Sequence, residues 1–303
     1  MSGEVTRDRA IGDLGAVAHY NLLERVGEGG LGEVYRARDT STGRTVALKL
    51  VPFGLAEGQR WQRLMDDARA AAGLSHPNIA TLFDVGHHDE RLYLAYEFVQ
   101  GATLRQQMSG GGMNAGHAIA LAAQVADALA EAHSRGVVHK DLRPDTVLET
   151  MKGSVKVLDF GMSIWTRGGQ VRALAGAAPG SVGTDALPVV AYMSPEQARG
   201  GRVDHRTDLF SLGVILYEML TGVNPYAAGD PAGILVRITQ DEPPVPSTID
   251  PGLPKMVDLV LSRVLSRDPG MRPDTAVKLA AELRRCGALM EGNAAEPAVA
   301  RPR

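Results

Sequence analysis

The chain has 303 residues, 44% of them hydrophobic and 22% charged, with a formal net charge of −3. That length can bury the core of one large domain or of two lobes, and the slight acidity argues against a protein that works by neutralising nucleic-acid phosphate. Cys286 is the one cysteine, which excludes an intrachain disulfide and a multi-cysteine zinc site; it falls in a helical pattern and reads as a packing residue. No apolar run reaches the ~18 residues of a membrane span. The first residues, Met1 to Ala10, are charged rather than signal-like, so the expectation is a cytoplasmic chain with no membrane segment.

Residues 1–18 carry no strong pattern and are expected to be a loose tail or a short helix. A strand is expected over Tyr20 to Val26, then a glycine-rich turn, then an alternating strand from Gly32 to Arg38. Asp39 to Gly43 is turn chemistry, and Thr45 to Val51 is a third, apolar strand. Arg60 to Leu74 places Leu64, Met65, Ala68, Ala71 and Ala72 on one helical face; Gly73 and His76-Pro77 are its stop signals. Strands follow around Ala80–Val85 and Arg91–Phe98, with His87 and His88 at an exposed hairpin tip. From Gln100 the chain is mainly helical: Ala115 to Ser134, Asp208 to Leu220, Pro254 to Leu265 and Asp274 to Cys286. Strands first and helices second predict an α+β protein of two lobes: a β-rich lobe over 19–98, a hinge over 97–101 and a helical lobe over 102–290. Residues 162–190 form a long Gly/Ala-rich loop of the kind that carries function, and 291–303 are too poor in apolar bulk to order.

Two acids carry the chemistry. V-V-H-K-D-L-R-P-D-T-V-L (Val137 to Leu148) puts Asp141 on a loop, and Asp159-Phe160-Gly161 follows a short strand, Val155 to Leu158. Carboxylates so placed can divide phosphoryl transfer between them: one orients a hydroxyl nucleophile, the other holds Mg²⁺ against phosphates. Asp141 is the candidate base. Arg143, two residues on, is placed to steady the γ-phosphate charge. Asp159 is the candidate metal ligand, with Thr146 standing where an amide would be expected as the second; its shorter arm predicts weaker hold on a second metal. His139 reads as structural, and Lys140 as a point charge that can meet a phosphate on the long loop.

Val26-Gly27-Glu28-Gly29-Gly30-Leu31-Gly32-Glu33-Val34 contains G-x-G-x-x-G. A dinucleotide fingerprint needs a helix next, but Gly32 opens a strand; such a hairpin instead lays backbone N–H groups over triphosphate oxygens. Lys49 ends V-A-L-K and, with that loop upstream, is the candidate for the α- and β-phosphates. Its expected partner on the following helix is Asp67, one methylene shorter than glutamate. A Glu196–Arg272 ion pair would anchor the end of the long loop.

These motifs, G-E-G-G-L-G-E-V, V-A-L-K, H-K-D-L-R-P-D-T, D-F-G, S-P-E and D-L-F-S-L-G in order, resemble the eukaryotic-type Ser/Thr protein kinase family in its bacterial branch, from about Tyr20 to Ala288. The resemblance implies a bilobal fold with ATP in the cleft and Mg²⁺, or Mn²⁺, as the metal. It implies adenine hydrogen bonds to the backbone of Glu97 and Val99, Tyr96 as gate residue, and Val34, Ala47 and Leu148 against the base. It implies protein substrates, and self-association where the chain phosphorylates itself; Thr166, Ser181 and Thr184 are the candidate sites. Asp67 stands for Glu, Lys140 for Arg, Thr146 for Asn, Val189 for Thr and Pro188 for Gly. Those departures leave a second reading, a pseudokinase serving as a nucleotide-binding scaffold. A third, a small-molecule phosphotransferase, is opposed by S-P-E, the Asp208 helix and Arg272.

Overall fold

The computed structural model describes residues 15–29, 32–52, 59–89, 91–162 and 187–294. The strand-rich and helix-rich parts of the sequence form separate units, Met1–Ala72 with Thr81–Val99 and Gly73–Ala80 with Gln100–Arg303.

The first unit is a six-stranded antiparallel sheet in the order β1-β2-β3-β4-β6-β5. Its strands are β1 (Ala16–Val17), β2 (Tyr20–Gly29), β3 (Gly32–Asp39), β4 (Thr45–Pro52), β5 (Leu82–His88) and β6 (Arg91–Glu97), and helix α1 (Gln59–Ala72) packs against β5. The period of two in β4 decides what faces what. Val46, Leu48 and Leu50 join Tyr20, Ala37, Tyr93 and Ala95 in a buried cluster. The other face is set by register. Val34 pairs with Lys49 and Ala47 with Tyr96, so these four side chains share one side of the sheet. The turn between β3 and β4 is closed by Asp39, which accepts from Ser41 N–H (2.8 Å) and Thr42 N–H (3.1 Å).

The second unit is built on α3 (Ala115–Ser134), which packs against α6 (Arg206–Thr221) and α10 (Ala276–Ala294). Around them lie α2 (Leu104–Gln107), α4 (Leu187–Val190), α5 (Pro195–Ala198), α7 (Pro231–Gln240), α8 (Pro246–Ile249) and α9 (Lys255–Val264). Helix α6 is buried on nearly every side, and this explains a glycine inside it: a Cβ on Gly213 would stand 2.5 Å from Val264 Cγ1 of α9. A small sheet, β7 (Gly101–Thr103), β8 (Val147–Thr150) and β9 (Val155–Val157), carries the segments around Asp141 and Asp159.

The α+β organisation expected from the sequence is present, and the Ala115–Ser134 helix has the bounds expected of it. Most other boundaries shift by a few residues, and three differences change the organisation. Ala16–Val17 is a strand rather than tail or helix, because it pairs with Asn21 and Tyr20 across a tight turn. The last helix runs to Ala294, past the expected start of a disordered tail at 291, and 295–303 lie outside the described residues. Gly73–Ala80 belongs to the helical unit. There Ala80 N–H donates to Val157 O (2.9 Å), Val157 N–H to Asn78 O (2.8 Å), and Asn78 Nδ2 to Val155 O (2.9 Å).

Candidate active site

In the first unit, the glycine turn joins β2 to β3 as a hairpin, with Gly27 opposite Val34, Glu28 opposite Glu33 and Gly29 opposite Gly32. Gly32 has φ +138°, open to glycine and strained for other residues. Gly30 and Leu31 lie outside the described residues. Val26 is exposed beside the turn. Lys49 is buried, with its ammonium 5.1 Å from the centroid of the Tyr96 ring, a cation–π distance. Asp67 is half-buried on α1 of the same unit. Glu97 N–H donates to Thr81 O (2.8 Å), and Thr81 N–H donates to the Glu97 carboxylate (3.3 Å), which fixes the chain before it leaves the unit. The Val99 N–H meets no acceptor among the described residues and stays available as a donor.

In the second unit, the Asp141 loop hangs from a buried acid on α6. Asp208, fully buried, accepts the N–H groups of His139 (2.8 Å) and Lys140 (2.7 Å), and His133 Nε2 lies 2.7 Å from its Oδ2. Burial pushes the Asp208 carboxyl up. The hydrogen bond and charge of His133, with His139 and the Lys140 N–H, outweigh burial and hold it below the usual carboxylate range. Lys140 adopts φ +62° and its carbonyl accepts from Gln197 Nε2 (2.8 Å). His139 is fully buried: its Nδ1 accepts from Asp141 N–H (3.2 Å), so Nε2 is the protonated nitrogen and donates to Leu158 O (2.8 Å). Its ring meets Phe160 edge-on at 4.9 Å. One imidazole thus ties the Asp141 loop to the strand end before Asp159.

Asp141 is 6% exposed, and Arg143 Nε stands 3.8 Å from its carboxylate while Arg143 Nη1 stands 3.2 Å from Asp145. Arg143 is thereby set between two acids. Asp159 is also 6% exposed and has φ +63°; its carbonyl accepts from Met162 N–H (3.1 Å). Thr146 is buried, and its hydroxyl is engaged at home: it donates to Arg143 O (3.0 Å) and accepts from Arg143 N–H (3.2 Å). A hydroxyl has two lone pairs, so one remains for a cation. Leu148 is half-buried on β8, opposite Lys156.

The pair expected at the end of the long loop is present. Arg272 grips Glu196 with both terminal nitrogens at 2.8 Å, donates from Nε to Ser266 O (2.9 Å), and lies 4.9 Å over the Phe210 ring. Val189 is buried in the helical core and Pro188 is exposed. Thr166, Ser181 and Thr184 lie outside the described residues. Sequence reasoning missed one cluster: Tyr192 donates to Glu218, Arg105 Nη2 lies 2.5 Å from the Tyr192 hydroxyl, and Arg105 Nη1 donates to Glu218 (3.0 Å). Glu218, an acid in the otherwise apolar stretch Gly213–Leu220 of α6, was the available signal. So was Asp208, read only as part of a motif rather than as the anchor of the loop.

The protein kinase domain model matches residues 20–282. The chain is 37% identical over 278 residues to a serine/threonine-protein kinase, pkn3, of Myxococcus xanthus, covering 88% of this chain and 49% of that protein. It is 32% identical to the serine/threonine-protein kinase PrkC of Bacillus subtilis, over 88% of this chain and 40% of PrkC. The chain therefore spans about half or less of the length of these relatives. Among solved structures, the PknI kinase domain of Mycobacterium tuberculosis matches with a TM-score of 0.71 at 26% identity, covering 92% of this chain and 100% of that one. No helix among the described residues is long and apolar enough to cross a membrane. With motifs and fold in agreement along nearly its whole length, the chain belongs to the protein kinase domain family.

Proposed function

We propose that this chain transfers the γ-phosphoryl group of ATP to Ser or Thr hydroxyls of proteins, itself included. The observation that carries the reading is the Asp141 loop: a buried carboxylate, 3.8 Å from Arg143, on backbone held by two hydrogen bonds to Asp208. A loop so fixed can aim a carboxylate at an acceptor hydroxyl, where positioning supplies much of the rate. Asp141 orients the hydroxyl and receives its proton. Arg143 meets the charge that builds on the transferring group. Lys49 faces the α- and β-phosphates, with Asp67 as its partner. The backbone of Gly27, Gly29 and Gly32 covers the phosphates, and Glu97 and Val99 present backbone groups to the adenine.

The donor set suits Mg²⁺, which takes hard oxygens, usually one or two carboxylates with water and phosphate completing its shell. Asp159 would hold it, with the remaining Thr146 lone pair as the weaker second ligand. Bound there, the ion would neutralise phosphate charge.

The relatives' names, serine/threonine-protein kinase, support the same reading, and behind the pseudokinase alternative stand only the departures at Asp67, Lys140, Thr146 and Val189, with Pro188 beside the last. Incubation with γ-labelled ATP and Mg²⁺ or Mn²⁺, with the chain itself and a generic basic protein as acceptors, tests the proposal. Label should enter with the native chain and fall about 10²-fold or more in Asp141→Asn. Equal, background-level label from the two folded chains would end the kinase reading.

A further inference from the structure

The helical unit holds a cavity of about 710 Å³ that the phosphotransfer chemistry does not use. One wall is the segment D-E-P-P-V-P, Asp241 to Pro246, between α7 and α8; the other is α9 with the turn after it. Leu261 and Leu265 are buried in its lining, while Val245 (49% exposed) and Leu259 (63% exposed) carry the apolar lining to the surface. Ile249 and Met256, nearby in sequence on α8 and α9, are also exposed. A volume of that size admits a large side chain and more, and an apolar lining that reaches the exposed surface at Val245 and Leu259 suits an occupant longer than a small molecule.

Three polar features say what kind. First, Tyr217 of α6 lines the cavity, is 1% exposed, and its hydroxyl has no hydrogen-bond partner among the described residues. Burial pushes its pKa up, so it stays a protonated donor. A buried hydroxyl without a partner is costly and calls for an acceptor. Second, the carbonyls of Pro243 and Pro244 accept no hydrogen bond among the described residues, and prolines offer no N–H of their own. Such an edge suits the N–H groups of an extended chain laid along it. Third, the rim is acidic. Asp241, Glu242 and Asp268 line it against Arg267, which is already engaged with Gln240 O and with Glu242 at 3.4 Å.

We propose that this cavity is a docking groove for an extended protein segment that inserts one large apolar side chain flanked by arginine or lysine. The apolar side chain packs against Leu261 and Leu265. A backbone carbonyl of the segment accepts from Tyr217, its N–H groups donate to Pro243 and Pro244, and its basic residues meet Asp241 and Glu242. The groove lies wholly within the helical unit, so binding does not depend on phosphoryl transfer.

Random twelve-residue peptides displayed on phage, selected against the immobilised full chain, test this; the winning sequence is then synthesised and its Kd measured by fluorescence anisotropy. The selected peptides should share a Leu, Ile, Met or Phe within two residues of Arg or Lys. Leu259→Asp and Asp241→Lys, both at exposed positions and both checked for unchanged circular dichroism, should weaken binding at least ten-fold. Tyr217→Phe should weaken it several-fold, and Asp141→Asn should leave it unchanged. Peptides without basic residues, no enrichment at all, equal affinity for the Leu259→Asp chain, or loss of binding in Asp141→Asn would each overturn the proposal.

Discussion

Glu196→Ala isolates the energetics of the ion pair that ends the long loop. In the native chain the Arg272 side chain is fully buried, and its guanidinium donates to both Glu196 oxygens, to Ser266 O and to Arg206 O. Removing Glu196 leaves the two backbone acceptors but no counter-charge. An uncompensated buried charge costs about 3–5 kcal/mol, and the Phe210 ring beneath it is in contact with or without Glu196, so it offsets none of that cost. The expected loss for the helical unit is therefore about 3 kcal/mol or more. Urea denaturation followed by circular dichroism should show a lower midpoint with an unchanged slope. The charge-free pair Glu196→Gln with Arg272→Met should recover more than half of the loss, because it removes the stranded charge along with its partner. A loss below about 1 kcal/mol in Glu196→Ala would refute the reasoning, since the guanidinium would then have found water or another acid.

Asp208→Asn probes the anchor of the catalytic loop. The carboxyl is held below its usual range of ~3.9 when folded, so its stabilisation is complete above that value and is lost as pH falls through the folded pKa. Native and variant chains should differ by about 1–3 kcal/mol at pH 7 and converge below about pH 4; a gap that stays constant to pH 3 would contradict this assignment. Thr146→Asn exchanges a hydroxyl already bonded to the Arg143 backbone for a longer amide arm. Phosphotransfer at limiting Mg²⁺ should rise many-fold and the Mg²⁺ needed for half-maximal rate should fall; an unchanged metal dependence would show that Thr146 does not limit the site.

Local chemistry made much of this legible in the chain. The apolar run Thr45–Val51 reads as a strand, and the period of two of a strand puts Lys49 on the face away from Val46, Leu48 and Leu50 whatever surrounds it. The alanine-rich run from Ala115 to Ser134 is a helix in sequence and in structure, since high propensity and a buried face agree over its length. The Glu196–Arg272 pair was expected from motif order alone.

Long-range contacts decided the rest. Nothing local marks Gly73–Ala80 as part of the helical unit; its hydrogen bonds to β9, in particular at Val155 and Val157, do so across a long sequence separation. Nothing local says that the Thr146 hydroxyl closes on its own loop, or that Asp208 reaches back to the N–H groups of His139 and Lys140. The residue types that hydrogen bonds and ion pairs require can be read one position at a time. Which partner satisfies each buried polar group depends on how distant segments pack, and only the tertiary structure settles that.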